Sequence, residues 1–326
     1  MPVGLKAPEK LLPVNGVRLA AVHSGIKADA NIKDLVLIEL AESSRLASVF
    51  TTNKFCAAPV VVAKEHLARN DAPRYLLINS GNANAGTGER GYQAALQCCR
   101  RVASLNSLNE NSVLPFSTGV IAADLPVDKI SNAIPGLIDE LETDAWLDAA
   151  QGIMTTDTLP KAVSRVIEID NQLVTITGMA KGSGMIKPDM ATMLAYVATD
   201  AKIDPLELQA IIELAVDCSF NAISVDGDTS TNDACILMAT GASGVEVSLD
   251  NKNFMAELVA VFAQLAQSII RDAEGATKFV KIEVSGALST ADAREVGYTV
   301  AHSPLVKTAL FALVSRMALF NHAGHH

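Results

Sequence analysis

The sequence predicts a layered α/β protein, a sandwich of sheets and helices, and argues against a dinucleotide-binding Rossmann sheet. Three observations carry this reading. Short runs rich in Val, Ile and Leu alternate with amphipathic stretches, but without the strict strand–helix–strand rhythm of a doubly wound sheet. Gly182-x-Gly184 lacks the third glycine of the nucleotide fingerprint, because Lys187 stands in its place. A chain of 326 residues, 49% hydrophobic and 19% charged, has ample material for one large or two medium domains.

The elements follow in order. Residues 14–24 read as a turn and a strand, and Leu35–Leu40 and Ala47–Phe50 as short buried strands. Ala58–Arg69 passes from strand into helix, and Tyr75–Asn79 is a strand. It ends in a loop of small polar residues, 79–88. There Gly81 and Gly86 have the spacing of a phosphate-binding loop, but Thr87-Gly88 follows instead of Lys-Ser/Thr, so that reading fails. A turn into a helix over Gln93–Leu105 is the simpler account. Val113–Val120 is a strand carrying the loop Ser117-Thr118-Gly119, and Asp124–Ile130, Ser131–Glu142 and Trp146–Met154 are helical. Ala162–Ile169 and Gln172–Thr177 alternate as a hairpin across Asp170-Asn171. Asp204-Pro205 caps a helix over Leu206–Ser219. Strands are expected at Ala222–Val225, Ala234–Thr240, Gly244–Leu249 and Phe279–Val284, and helices at Asn253–Arg271, Thr290–Thr299 and Ser303–Leu319. The acidic loop Asp226–Asp233 looks like a calcium loop, but Thr231 and Leu237 occupy the positions where an EF-hand needs glycine and glutamate.

Composition excludes several function classes. A net charge of −10 argues against nucleic acid and anionic membranes as main partners, while leaving room for small acidic substrates met by a local cation. The five cysteines are odd in number and contain no C-x-x-C, so neither a disulfide framework nor a zinc site is expected. Reduced thiols fit a cytoplasmic protein. The N-terminus shows no signal-peptide core, and the apolar segments 254–270 and 304–320 are interrupted by Glu257 and Gln264, and by Lys307 and Arg316, as amphipathic helices are. His322, His325 and His326 lack a scaffold that would fix them as metal ligands. No metal and no cofactor is expected.

The stretch Lys181–Asp200 is where chemistry would sit. Lys181, Gly182 and Gly184 form a basic, flexible loop, Pro188 constrains it, and Ala191-Thr192 leads into the apolar run Met193–Val197. On spacing alone, a loop presenting a nucleophile and an ordinary loop-to-core transition read alike.

The ordered set of motifs separates them. Phe50-Thr-Thr-Asn53, Phe116-Ser-Thr-Gly-Val120, Met154-Thr-Thr-Asp-Thr158, Lys181-Gly-Ser-Gly-Met-Ile186, Met190-Ala-Thr-Met-Leu194, Asp226-Gly-Asp-Thr-Ser-Thr-Asn-Asp233, Glu274-Gly-Ala-Thr-Lys278 and Ser303-Pro-Leu-Val-Lys-Thr308 occur in one order. Together they closely resemble the bifunctional glutamate N-acetyltransferase, or ornithine acetyltransferase, family of arginine biosynthesis. The resemblance runs from about residue 12 to Phe311. It implies a self-processing fold with an N-terminal threonine nucleophile. The chain is expected to cleave itself between Ala191 and Thr192, giving residues 1–191 and 192–326 as two chains that pair and dimerise to a heterotetramer. It implies Thr192 as nucleophile, Thr118 and the Gly119 N–H as oxyanion donors, and Thr155, Lys181, Thr192 and Glu274 as substrate-binding residues. The substrates implied are N2-acetylornithine and glutamate, with acetyl-CoA as an alternative acetyl donor in some members.

Residue types suit these roles. A threonine hydroxyl needs a base, and a freed α-amino group, with a pKa of about 7.7–8.0, is partly neutral at cellular pH. Lys181 is a point charge suited to a carboxylate. Residues 312–326 depart from the family's pattern, so the sequence is expected to be a C-terminally truncated or frameshifted member, without counterparts of two further site residues, and Ala273 stands where the family usually has glycine. Two competing readings remain. A threonine-nucleophile amidohydrolase or aminopeptidase would release acetyl to water, and an inactive truncated remnant would stay unsplit.

Overall fold

The computed structural model describes residues 2–8, 10–70, 72–186 and 193–312. Two β-sheets stack face to face, and helices cover both outer faces. One sheet contains β1 (Val17–Val22), β2 (Leu35–Leu40), β4 (Tyr75–Asn82) and β5 (Val113–Val120), in the order β1-β2-β4-β5. The other has the order β3-β9-β8-β7-β6, formed by β3 (Arg45–Phe50), β9 (Ala234–Ala239), β8 (Leu194–Thr199), β7 (Gln172–Lys181) and β6 (Lys161–Ile169). Among the described strands, the pairs β4–β5 and β8–β9 are parallel and the others antiparallel. Each parallel pair needs a long crossover. The helix α2 (Gly88–Leu105) bridges the first, and α5 (Pro205–Asp217) the second. The helix α1 (Ala58–Arg69) precedes β4, α3 (Val127–Asp139) and α4 (Trp146–Gly152) lie between α2 and α5 in the chain, and α6 (Lys252–Arg271) follows β9.

Period-two alternation explains the layers, because one set of side chains on each strand must find each neighbouring layer. Leu19, Ile38, Ile78 and Phe116 point from the first sheet into the shared middle, where they meet Tyr196, Ile236 and Met179 of the second. Phe116 and Tyr196 pack edge to face there, with ring centroids 5.4 Å apart. Leu35, Leu37 and Leu77 point the other way, toward Val102 of α2 and Ile134 of α3. Val197, Leu237 and Ile176 point outward from the second sheet onto Ile211 of α5 and Phe262 and Leu265 of α6. The strand β8 is therefore covered on both faces, which is why Met193–Val197 reads as an unbroken apolar run rather than an alternating one. Helix α6 is long and apolar enough by composition to cross a membrane, but its apolar stripe is the floor of this outer core.

Several expectations are corrected. Helices expected over 124–142 are one helix, α3. Ala222–Val225 is no strand: a 3-10 turn spans Phe220–Ala222, and the Val225 N–H bonds to the Ile186 carbonyl rather than to a ladder. Gly244–Leu249 makes only an isolated bridge, Lys202 with Glu246. Phe279–Val284 keeps a strand's alternation, but no described strand lies alongside it, and Val280 and Ile282 stay exposed. Alternation marks a strand only where a partner supplies the ladder. Two short helices close the described chain, α7 (Thr290–His302) and α8 (Pro304–Phe311), so the helix expected to Leu319 is described only to Phe311.

Candidate active site

The site is assembled where strand ends from both sheets meet. Strands β7 and β8 run antiparallel with Lys181 opposite Leu194, so the last residue of one lies beside the first residue of the other. The start of β9 lies on the far side of β8, with Ala234 opposite Leu194. From the other sheet comes the end of β5, carrying Thr118 and Gly119. Lys181 joins the two: its Nζ donates to Thr118 Oγ1 at 3.1 Å, and both side chains are buried. The expected oxyanion donor and the expected substrate cation are therefore in direct contact.

The backbone at Gly119 shows why a glycine stands there. Its φ is +136°, and a Cβ would lie 2.3 Å from the Gly81 carbonyl carbon and 2.5 Å from the Asn82 nitrogen. The chains of β4 and β5 approach too closely for any side chain, at a point where their register shifts by a bulge.

Beneath Lys181 lies a buried ionic hub. The Lys161 ammonium donates to Asp157 Oδ1 at 2.5 Å and Asp272 Oδ2 at 2.7 Å. Asp157 also accepts from the Gly182 N–H at 2.8 Å and the Thr155 N–H at 3.0 Å. Asp272 accepts from the Thr158 N–H at 2.8 Å and from the Thr158 hydroxyl. The Asp272 carbonyl takes the Ser183 hydroxyl at 2.9 Å, and the Glu274 N–H donates to the Ser183 carbonyl at 2.9 Å. Three loops are thus tied to one another: 155–158, 181–184 and 272–274. Burial alone would raise the Asp157 carboxyl, but the Lys181 and Lys161 ammonium groups and the Gly182 N–H outweigh it and hold the pKa at about 2. Burial pulls Lys181 below its ordinary range against the pull of Asp157 and Asp233.

This makes an acid-stability prediction. The folded pKa of Asp157 lies below its unfolded value of about 3.9. Its contribution is therefore complete above about pH 4 and is lost as pH falls through about 2, amounting to roughly 2–3 kcal/mol. Urea unfolding of Asp157→Asn should show less loss of stability between pH 5 and pH 3 than the unchanged chain. Equal slopes would refute the assignment.

The residues expected from the sequence fall out as follows. Thr118, Gly119, Thr155, Lys181 and Glu274 converge on this corner. Glu274 is exposed, with its carboxylate packed over Gly184, where a Cβ would lie 3.1 Å from it. Ala191 and Thr192, the expected cleavage pair and nucleophile, lie outside the described residues, as do His322, His325 and His326. Met193, directly after Thr192, is described: its N–H donates to Asp233 Oδ1 at 2.7 Å. Sequence reasoning passed over Lys161, Asp157 and Asp272 as individuals, although Asp157 lay inside a quoted motif. A lysine opening a strand carries no signal of burial. It also passed over Asn232, whose amide donates to the Ala83 and Ser117 carbonyls at 2.6 and 3.0 Å and fixes the loop just before Thr118. Arranged this way, the corner can hold a carboxylate-bearing substrate near Lys181 and present donors to an oxyanion at Thr118 and Gly119.

Comparison with known proteins follows this geometry. A family model described as the ArgJ family matches residues 18–314. The arginine biosynthesis bifunctional protein ArgJ of Methylococcus capsulatus is 54% identical over 307 residues, covering 93% of this chain and 74% of that protein. The protein of the same name in Pseudomonas syringae pv. tomato is 50% identical over 317 residues, covering 96% and 78%. Among solved structures, an L-aminopeptidase D-Ala-esterase/amidase of Ochrobactrum anthropi, described as a variant of the Ntn-hydrolase fold, aligns with a TM-score of 0.50. It is 10% identical and covers 84% of this chain and 91% of that one. The likeness shows the fold alone, a layered α/β arrangement of the kind found in that structure.

Proposed function

The chain belongs to the ArgJ family, and from that premise we propose that it transfers the acetyl group of N2-acetylornithine to glutamate through an ester on Thr192. The observation that carries the reading is the Lys181–Thr118 contact beside the start of β8, a strand that begins two residues after Thr192 in the chain. It supports the reading by joining the residues expected as substrate cation and oxyanion donor near the strand that follows Thr192 in sequence.

The chemistry has two stages. In the first, Thr192 Oγ attacks the Ala191 carbonyl, the acyl group moves from nitrogen to oxygen, and water hydrolyses the resulting ester. This leaves residues 1–191 and 192–326 as separate chains, with Thr192 carrying a free α-amino group. In the second, that amine takes the Oγ proton as Oγ attacks the acetyl carbonyl of N2-acetylornithine. Thr118 and the Gly119 N–H hold the oxyanion, and ornithine leaves carrying the proton. The glutamate amine then attacks the acetyl ester and releases Oγ. Thr155, Lys181 and Glu274 bind the substrates, with Lys181 facing a carboxylate and Glu274 an amine. Acetyl-CoA is a second acetyl donor for the same ester. The processed chains pair and dimerise as a heterotetramer in the cytoplasm.

Intact mass of the purified chain tests the first stage. Fragments of 191 and 135 residues are expected, and none from Thr192→Ala. An unsplit wild-type chain would sink the assignment. Ornithine release that requires glutamate distinguishes transfer from the amidohydrolase reading, in which water suffices.

A further inference from the structure

The loop between β1 and β2 carries a further cation to the site corner. Buried Asp34 staples this loop. Its Oδ1 accepts from the Ser24 N–H at 2.6 Å and the Ser24 hydroxyl at 2.8 Å, and its Oδ2 from the Lys27 N–H at 2.9 Å. The Lys27 stem then crosses Gly81 at the end of β4, where a Cβ would lie 3.2 Å from Lys27 Cγ and 2.9 Å from Ile26 Cγ2. The carbonyl carbon of the same Gly81 leaves no room for a Cβ on Gly119. At its tip the Lys27 ammonium donates to the Met154 carbonyl at 2.7 Å. That carbonyl and the Thr155 N–H belong to one peptide group, and the Thr155 N–H donates to Asp157. Lys27 therefore spans the corner from the Gly119 bulge to the Thr155 loop.

We propose that Lys27 is a second carboxylate-binding cation of this corner, which receives the side-chain carboxylate of glutamate and so selects a dicarboxylate acceptor. The inference rests on the transfer reading given above. Glutamate carries two carboxylates, and Lys181 can face only one of them. The side chain of N2-acetylornithine ends instead in an amine, for which Glu274 is the expected partner. Lys27 and Glu274 reach the corner from different layers. Lys27 comes from a loop of the first sheet and rests on Gly81, while Glu274 comes from the segment after α6 and packs over Gly184. Two side chains of opposite charge let one corner take, in turn, two substrates whose side chains end in opposite charges.

The Lys27 ammonium has capacity left for a ligand. It carries three donors. Two backbone carbonyls accept from it, and one of these bonds, to Lys33, is long at 3.4 Å. The carboxylates whose charge it feels, Asp34 and Asp157, are engaged elsewhere. Asp34 is held by its own loop, and Asp157 by Lys161 and the Gly182 and Thr155 N–H groups. Lys27 is only partly buried, so a ligand can still reach it. Burial pulls the ammonium below its ordinary range, Asp34 and Asp157 pull it back, and Lys181 adds to the lowering. A second carboxylate in the corner opposes both the burial and the like charge.

Glutamate and glutamine as rival acceptors isolate the charge, since they differ in that carboxylate and little in size. In a transfer through an enzyme ester, kcat/KM reports each substrate's half-reaction separately. With N2-acetylornithine as donor, ornithine release by the unchanged chain should show a kcat/KM at least about tenfold higher for glutamate than for glutamine. Lys27→Met keeps a stem over Gly81. It should lower kcat/KM for glutamate about tenfold or more and bring the two acceptors within about threefold of each other, while kcat/KM for N2-acetylornithine moves by less than about twofold. Lys27→Arg, which keeps the charge, should retain most of the preference. A Met variant that loses rate equally with both acceptors, or alike for donor and acceptor, overturns the assignment and leaves Lys27 as a support of the Met154–Thr155 peptide. A wild-type chain that acetylates glutamine as readily as glutamate overturns it without any variant. A wild-type chain that releases no ornithine in the presence of glutamate overturns the transfer reading and this inference with it.

Discussion

Replacing Gly119 by alanine should disrupt the proposed oxyanion corner and remove much of the stability of the sheet that carries it. The new Cβ would sit 2.3 Å from the Gly81 carbonyl carbon and 2.7 Å from its Cα, atoms of backbone that cannot swing aside. The φ of +136° adds strain that any L side chain would feel. Relief requires β4 and β5 to part at their bulge, which carries Thr118 away from Lys181. A cost of about 3 kcal/mol or more is expected, and a melting temperature lower by at least about 5 °C. If the chain still splits, acetyl transfer should fall by about a hundredfold or more, the usual loss of an oxyanion donor. Thermal melting and ornithine release, measured on the same preparation, check both parts. A variant that melts and turns over like the wild type would show that β4 and β5 do not meet as described.

Lys161→Met should be the most destabilising single change in the buried network. It leaves Asp157 and Asp272 buried together, each without the cation that was within 2.7 Å of it. Breaking a buried pair in this way costs about 3–5 kcal/mol, far more than the pair itself contributes over an apolar substitute. The sign of the pH effect is a sharper test than the size. Without the ammonium, burial of the Asp157 carboxyl has less to oppose it, so its folded-state pKa rises from about 2. The stabilisation so lost is absent at low pH and grows as pH rises. The gap between Lys161→Met and the wild type should therefore narrow from pH 7 toward pH 4, as read from urea unfolding. A gap that stays constant would place the loss in packing rather than charge. Adding Asp157→Asn to Lys161→Met should recover part of the stability at pH 7. It should not restore transfer, because Asp157 also holds Gly182 and Thr155.

These two positions differ in how much of them a sequence shows. Gly119 sat in a Ser-Thr-Gly motif and its expected role came from resemblance, while the close approach of Gly81 had no signal in the sequence. Lys161 meets Asp272 across 111 residues of sequence, and no local pattern encodes such a contact. The strand expectations divide for a similar reason. Leu35–Leu40 and Ala234–Ala239 were legible because they are short apolar runs buried on both sides. Phe279–Val284 has the alternation of a strand, but a strand is a relation between two segments, and periodicity describes one.

The sequence by itself determined the layered α/β class, the apolar run of β8, the capped helix α5 and, through ordered motifs, the family and its expected site residues. Each of these depends on side-chain period, turn chemistry or residue identity, all local properties of the chain. Only the tertiary structure decided that Lys181 touches Thr118 across two sheets, that Lys161 ties three loops, and that Asp226 and Asp233 accept from the N–H groups of Met185, Ile186 and Met193 from one loop. Those facts depend on which strand ends the two crossovers bring together, and burial then turns the proximity of charges into the chemistry of the site.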